Sequence, residues 1–203
     1  IHQTYLCFIN NNIELKNKEN MKTQVLSYNY NREHIKPGIL HIGVGNFHRA
    51  HEEFYTNLLL EDPTQQDRGI CGAMLLPGDE RLYRILEKQK KEYTLTICGR
   101  DGKDQTYQIG SLIELIWGIE NPAAIINKIA DKNIHIITLT ITEGGYNIAK
   151  ATNEFMLDNE NIKYDLAHPQ SPKTTFGFVA EGLRKRKAVG NGPITILSCD
   201  NLQ

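Results

Sequence analysis

One feature constrains this chain more than any other. A short apolar run breaks on two glycines and opens straight into a helix-patterned segment: GILHIGVGNFHRAH, residues 38–51. The run is short and ends in turn residues, so it reads as a buried strand. From Phe47 onward, Phe54, Leu58 and Leu59 recur at helical spacing. That spacing predicts a helix to about Glu61, with Pro63 limiting its end. A strand that is apolar at nearly every position must be covered on both faces. A mostly parallel sheet with helices on each side meets that demand.

The rest of the chain repeats the pattern. GICGAMLL (69–76) is a second buried-strand candidate, stopped by Pro77-Gly78. DERLYRILEKQ places Leu82, Ile85 and Leu86 on one face of an amphipathic helix, with Asp79 near its N-cap. YTLTICG and TYQIGSLIEL alternate apolar and polar residues around GRDGKDQ, which predicts an inserted β-hairpin. NPAAIINKIAD begins with an Asn-Pro pair suited to an N-cap and a first helical proline. IHIITLTIT and PITILSCDN read as two further strands. Residues 143–172 are polar and read as a long irregular excursion, and a helix is expected from about Lys173 to Lys187, ended by Gly190. The fold class is therefore α/β, Rossmann-like and doubly wound. Residues 1–36 are expected to be a variable extension and 37–203 one nucleotide-binding domain.

Composition narrows the partners. Of 203 residues, 40% are hydrophobic and 23% charged, enough for a sizeable core, and the formal net charge is −1. That balance gives no support to nucleic-acid or membrane-surface binding. The dense basic run, residues 184–187, reads as a solvated helix end, where cations suit the macrodipole. The four cysteines, Cys7, Cys71, Cys98 and Cys199, form no C-x-x-C pair, and Cys71 and Cys199 are expected to be buried thiols in strands. No run approaches the roughly 18 apolar residues of a membrane span, and the N-terminus lacks the layout of a secretory signal. A cytoplasmic protein is expected.

In doubly wound sheets ligands bind beyond the C-terminal ends of the strands. Three strand ends are candidates: 43–45, 142–145 and 198–201. Gly43-x-Gly45 stands where a dinucleotide fingerprint requires it, between strand and helix. The first glycine permits the tight turn, and the second lets the backbone approach a pyrophosphate. The third glycine of that fingerprint is replaced by His48. Val44, Asn46 and Phe47 belong to the same turn, and Arg49 could meet a phosphate. His48 and His51 share a helix face, but a metal site needs a third ligand and none is evident nearby, so no metal is expected. An acidic residue should follow the second strand to accept from ribose hydroxyls. Counting about 20 residues points to Glu61 or Asp62. Topology points to Asp79, which either caps its helix or holds the ribose; there it would favour NAD over NADP.

The strings HIGVGNFHRAH, GICGAMLLPGD, LTITEGGY, DLAHPQSPKTTFGF and LSCDN, in this order, resemble the polyol-specific long-chain dehydrogenases, the group of mannitol dehydrogenases and fructuronate reductases. That family also carries a Phe-His-Arg run after the second glycine. The resemblance implies zinc-independent, NAD(P)-linked oxidation of a secondary alcohol in a sugar alcohol, with NAD expected ahead of NADP and mannitol to fructose the leading reaction. Uronate reduction, of fructuronate or tagaturonate, is the family alternative. It implies that Asn201 helps stabilise the substrate oxygen and that Glu143 lies near the mouth of the site, in proton passage to solvent; Asp200 would orient the loop. In the family the general base is a lysine of a second, mostly helical domain, in a K-x-x-x-x-N-x-x-H pattern that this sequence lacks. The expected partners are therefore a small polyol or ketose and a C-terminal domain of the same polypeptide, and the chain alone is expected to be inactive. A non-catalytic nucleotide-binding module is the competing reading.

Overall fold

The computed structural model describes residues 24–99 and 102–200. A short strand β1 (Val25–Leu26) precedes β2 (Pro37–Ile42). Two helices follow, α1 (Asn46–Ala50) and α2 (Glu52–Leu59), then β3 (Gly69–Met74) and α3 (Glu80–Lys88). Next come β4 (Tyr93–Ile97), β5 (Gln105–Ile109), β6 (Leu112–Trp117), α4 (Pro122–Ala130) and β7 (Ile136–Leu139). The described chain finishes with α5 (Thr142–Gly145), α6 (Glu160–Ala167), α7 (Thr175–Ala188) and β8 (Thr195–Ser198).

The main sheet has the order β6-β3-β2-β7-β8 with every pairing parallel. Alternation along β2 explains why it is central. Leu40 and Ile42 enter a core with Ile125 and Ile129 of α4 and Phe178 of α7. Ile39 faces the other way, with Ile70, Met74 and Leu86. Burial of aliphatic side chains on both faces supplies the main driving force for the layered arrangement. Asn121 caps α4 by accepting from the Ala124 N–H, with Pro122 at its first turn, as the Asn-Pro pair predicts.

The structure corrects several local expectations. The hairpin is present, with β4 antiparallel to β5. Its expected second arm, however, is two strands. β5 stays with β4 and β1, while β6 crosses into the main sheet beside β3. The hop falls at Gly110-Ser111, where a Cβ on Gly110 would sit 2.5 Å from the Tyr28 ring and Ser111 Oγ donates to the Glu53 carbonyl at 2.7 Å. The helix after the glycines breaks at His51, whose ψ of −75° separates α1 from α2. The excursion after Glu143 is not structureless, since it contains α6.

The basic run is not wholly solvated. Arg186 is buried and donates to the carbonyls of Gly192, Ile129 and Asp131, fastening the end of α7 to the end of α4. Cys71 is buried, whereas Cys199 lies past the end of β8 and is only partly covered. Residues 24–36, within the expected extension, lie on the domain surface with Tyr30 and Ile35 buried against Leu60. Arg32 there donates to the Gly110 and Leu112 carbonyls. Among the described residues no helix is long and apolar enough to cross a membrane.

Candidate dinucleotide site

The strand order reverses direction between β2 and β7, so the segments leaving these strands diverge and leave a crevice. Two adjoining cavities fill it. One, of about 410 Å³, runs from Asp79 past Gly43 and Gly45 to Thr140 and Thr142. The other, of about 430 Å³, continues from Gly45, Asn46 and Phe47 to Glu143 and Asp200. Both volumes suit a bound small molecule.

The two glycines of the turn have different reasons to be glycine. Gly43 has φ +105°, and a Cβ there would lie 2.1 Å from the Thr140 carbonyl oxygen. Its own fold forbids a side chain. Gly45 has φ −121°, and its Cβ position meets only the Gly43 carbonyl, at 3.8 Å. Nothing within the chain requires glycine there, and it lines both cavities.

The other expected residues divide by placement. Val44 lines the cavity by position, but its side chain packs with Ile70 and Met74. Phe47 is about half exposed and stacks on His51. Asn46 faces the second cavity, and its Oδ1 accepts from Arg49 Nη2 at 2.7 Å. Arg49 itself is buried, so its guanidinium reaches the cavity only by way of Asn46. Asp79 makes no capping hydrogen bond with its side chain, which leaves the carboxylate to the cavity wall. Partial burial raises its pKa, opposed by the hydrogen bond at Leu76. Glu143 lies at the rim, 57% exposed, with Lys150 Nζ at 2.7 Å from its carboxylate. Asn201 lies outside the described residues, one position past Asp200.

Behind the turn lies a buried polar cluster. His41 Nδ1 is 2.8 Å from Thr138 Oγ1 and 3.0 Å from Glu52 Oε2; its Nε2 is 2.9 Å from Thr140 Oγ1. Thr140 Oγ1 donates onward to the Gly43 carbonyl at 2.7 Å. His41 and His48 stack with ring centroids 3.4 Å apart and planes within 12°. His48 Nδ1 lies 2.9 Å from Glu53 Oε1. Burial, aided by neighbouring His41, holds His48 well below the ordinary imidazole range. Burial acts to raise Glu52, but its hydrogen bond with His41 and the charge there outweigh it and hold the carboxyl below its usual value.

His41, His48 and Glu52 bring three potential metal donors within 4.8 Å of one another. His51, paired with His48 on sequence grounds, is not among them; its Nδ1 lies 2.9 Å from the Phe47 carbonyl oxygen. The stack keeps the lone pairs of the two rings in nearly parallel planes whose centroids are 3.4 Å apart, so one ion cannot lie in both planes without a ring rotating. Sequence reasoning missed His41. The available signal was a histidine inside the apolar run ILHIG, where a polar residue at a core position calls for partners.

A parallel sheet with a glycine turn at its switch point and an uncapped acid after the second strand defines a Rossmann-type nucleotide-binding domain. The mannitol dehydrogenase Rossmann domain matches residues 37–203, and the chain belongs to that family. It is 41% identical to a polyol:NADP oxidoreductase of Gluconobacter oxydans, over 86% of this chain and 36% of that one. It is 40% identical to a mannitol 2-dehydrogenase of Phaeosphaeria nodorum, over 86% and 30%. Among solved structures, the Pseudomonas fluorescens mannitol 2-dehydrogenase ternary complex with NAD and D-mannitol superposes with a TM-score of 0.84 at 40% identity. That match covers 88% of this chain and 36% of the other. The chain thus spans about a third of the length of these relatives.

Proposed function

We propose that this chain is the dinucleotide-binding domain of an NAD-dependent polyol dehydrogenase of the cytoplasm, acting with a second, substrate-binding domain on a polyol and its ketose, mannitol and fructose first. The contrast between Gly43 and Gly45 carries the reading. Gly43 is glycine because of Thr140, whereas Gly45 is glycine with no neighbour to demand it, on the wall of the crevice. A ligand backbone pressed against Gly45 supplies the missing reason.

In this reading Gly43, Val44 and Gly45 offer their backbone to the pyrophosphate, flanked by Asn46 and Phe47. Arg49 supports the turn through Asn46 and takes no phosphate itself. Asp79 accepts from the adenosine ribose, and its charge repels a 2′-phosphate, which favours NAD. When bound, a nicotinamide dinucleotide supplies the hydride chemistry of carbinol oxidation. Asn201 donates its amide to the reacting oxygen, and Glu143 at the rim passes protons to solvent. The test is titration of the 203-residue chain with NAD, NADH and NADP. Saturable NAD binding is expected, and Asp79→Ala weakens it while narrowing the preference over NADP. The polyol:NADP name of one relative makes the NADP arm necessary. Absence of binding to either dinucleotide overturns the proposal.

A further inference from the structure

The crevice is closed on one side by residues 141–146, and this segment starts in a strained conformation. Thr142 has φ +60°, a left-handed value that a β-branched residue rarely adopts. Its first turn, α5, has no side-chain cap of its own. The acceptor comes instead from the end of the neighbouring strand β8. Asp200 Oδ2 accepts from the Ile141 N–H at 2.8 Å, and Oδ1 accepts from the Thr142 N–H at 3.3 Å. The same Oδ2 accepts from the Tyr146 hydroxyl at 2.9 Å, and that hydroxyl also lies 2.5 Å from Ser198 Oγ. One carboxylate therefore grips both ends of the segment and ties the end of β7 to the end of β8.

We propose that Asp200 is a positioning residue that holds residues 141–146 in their left-handed entry and so shapes the wall that the end of β7 gives to the crevice. The inference rests on the dinucleotide reading, in which Asp79 marks the adenosine end and this segment the nicotinamide end. The physical case is a balance. The strain at Thr142 opposes the observed conformation, and charge-assisted hydrogen bonds to its own and the preceding amide offset it. Without the carboxylate the segment populates other conformations, and affinity falls by the fraction that remains competent. The carboxylate's hydrogen bonds go to Ile141, Thr142 and Tyr146 and to neither the Gly43–Gly45 turn nor Asp79, so the turn and the ribose acceptor keep their own supports.

The experiment compares NADH with ADP-ribose, which carries the adenosine and pyrophosphate but no nicotinamide. In Asp200→Ala, NADH affinity is expected to fall about tenfold while ADP-ribose affinity stays within about twofold. Retained ADP-ribose binding also reports that the variant folds. Adding Thr142→Gly, which removes the left-handed penalty, recovers several-fold of the lost NADH affinity. An Asp200→Ala protein whose NADH affinity is unchanged, or which loses both ligands equally, overturns the inference. If the unmodified chain binds neither ligand, the dinucleotide reading fails and takes the inference with it.

Discussion

Glu53 offers the sharpest test of the electrostatics behind the glycine turn. Its side chain is fully buried on α2, with His48 Nδ1 2.9 Å from Oε1. Burial raises its pKa from an ordinary 4.5 to about 7, against the pull of Tyr93, Arg49 and His41. The folded-state value lies above the unfolded one. The protonated form therefore contributes stability that is complete below pH 4.5 and is lost as pH rises through about 7. The gap corresponds to about 3 kcal/mol. Glu53→Gln removes the titration while keeping the shape. Urea unfolding of both proteins at pH 5 and pH 8.5 measures the effect. Because pH 5 already lies above the unfolded value, the variant should gain about 2.5 kcal/mol relative to the unmodified chain between the two conditions. A variant that instead loses ground at pH 8.5 would refute the reasoning, because it would mean that ionised Glu53 is held by His48 and Arg49 to net advantage.

Other outcomes follow from the same geometry. Gly43→Ala forces a Cβ onto the Thr140 carbonyl and should destabilise the chain by about 3 kcal/mol or more in urea melts. Gly45→Ala has room within the protein and should change stability by less than about 1 kcal/mol, yet weaken NADH binding at least about tenfold in a fluorescence titration. Arg186→Met strands three carbonyls at the α4–α7 junction; a loss of about 3 kcal/mol in urea, with NADH affinity unchanged, is expected. Because the stacked histidines do not converge on one ion, a chelator should leave NADH affinity unmoved.

Most of the main sheet was legible because its strands are short apolar runs bounded by glycine and proline, and each repeats one local pattern. Two kinds of feature were not. The passage from β5 to β6 is invisible to alternation, since both strands alternate and only the contacts of Gly110 and Ser111 decide that the chain changes sheets. Long-range polar pairing was hidden as well. Arg186 looks like its solvated neighbours until the carbonyl ends of α4 appear beside it, and His41 reads as one more core residue until Thr138 and Glu52 supply partners. At the site, the glycines and Asp79 could be placed from strand order. The inward turn of Arg49 could not, because helix phase alone does not say whether α1 and α2 are continuous.

The cradle of Gly43 has a kinetic consequence. The hydroxyl and carbonyl of Thr140 that surround it come from 97 residues downstream, whereas β3, the other neighbour of β2, follows soon after it. Closing so long a loop is entropically slow relative to local pairing. During refolding the β2–β3 half can therefore assemble while the glycine turn still lacks its opposing wall. Binding competence should emerge late: in stopped-flow refolding, the NADH fluorescence gain is expected to lag the recovery of helical circular dichroism. Coincident traces would mean that β7 docks as early as β3.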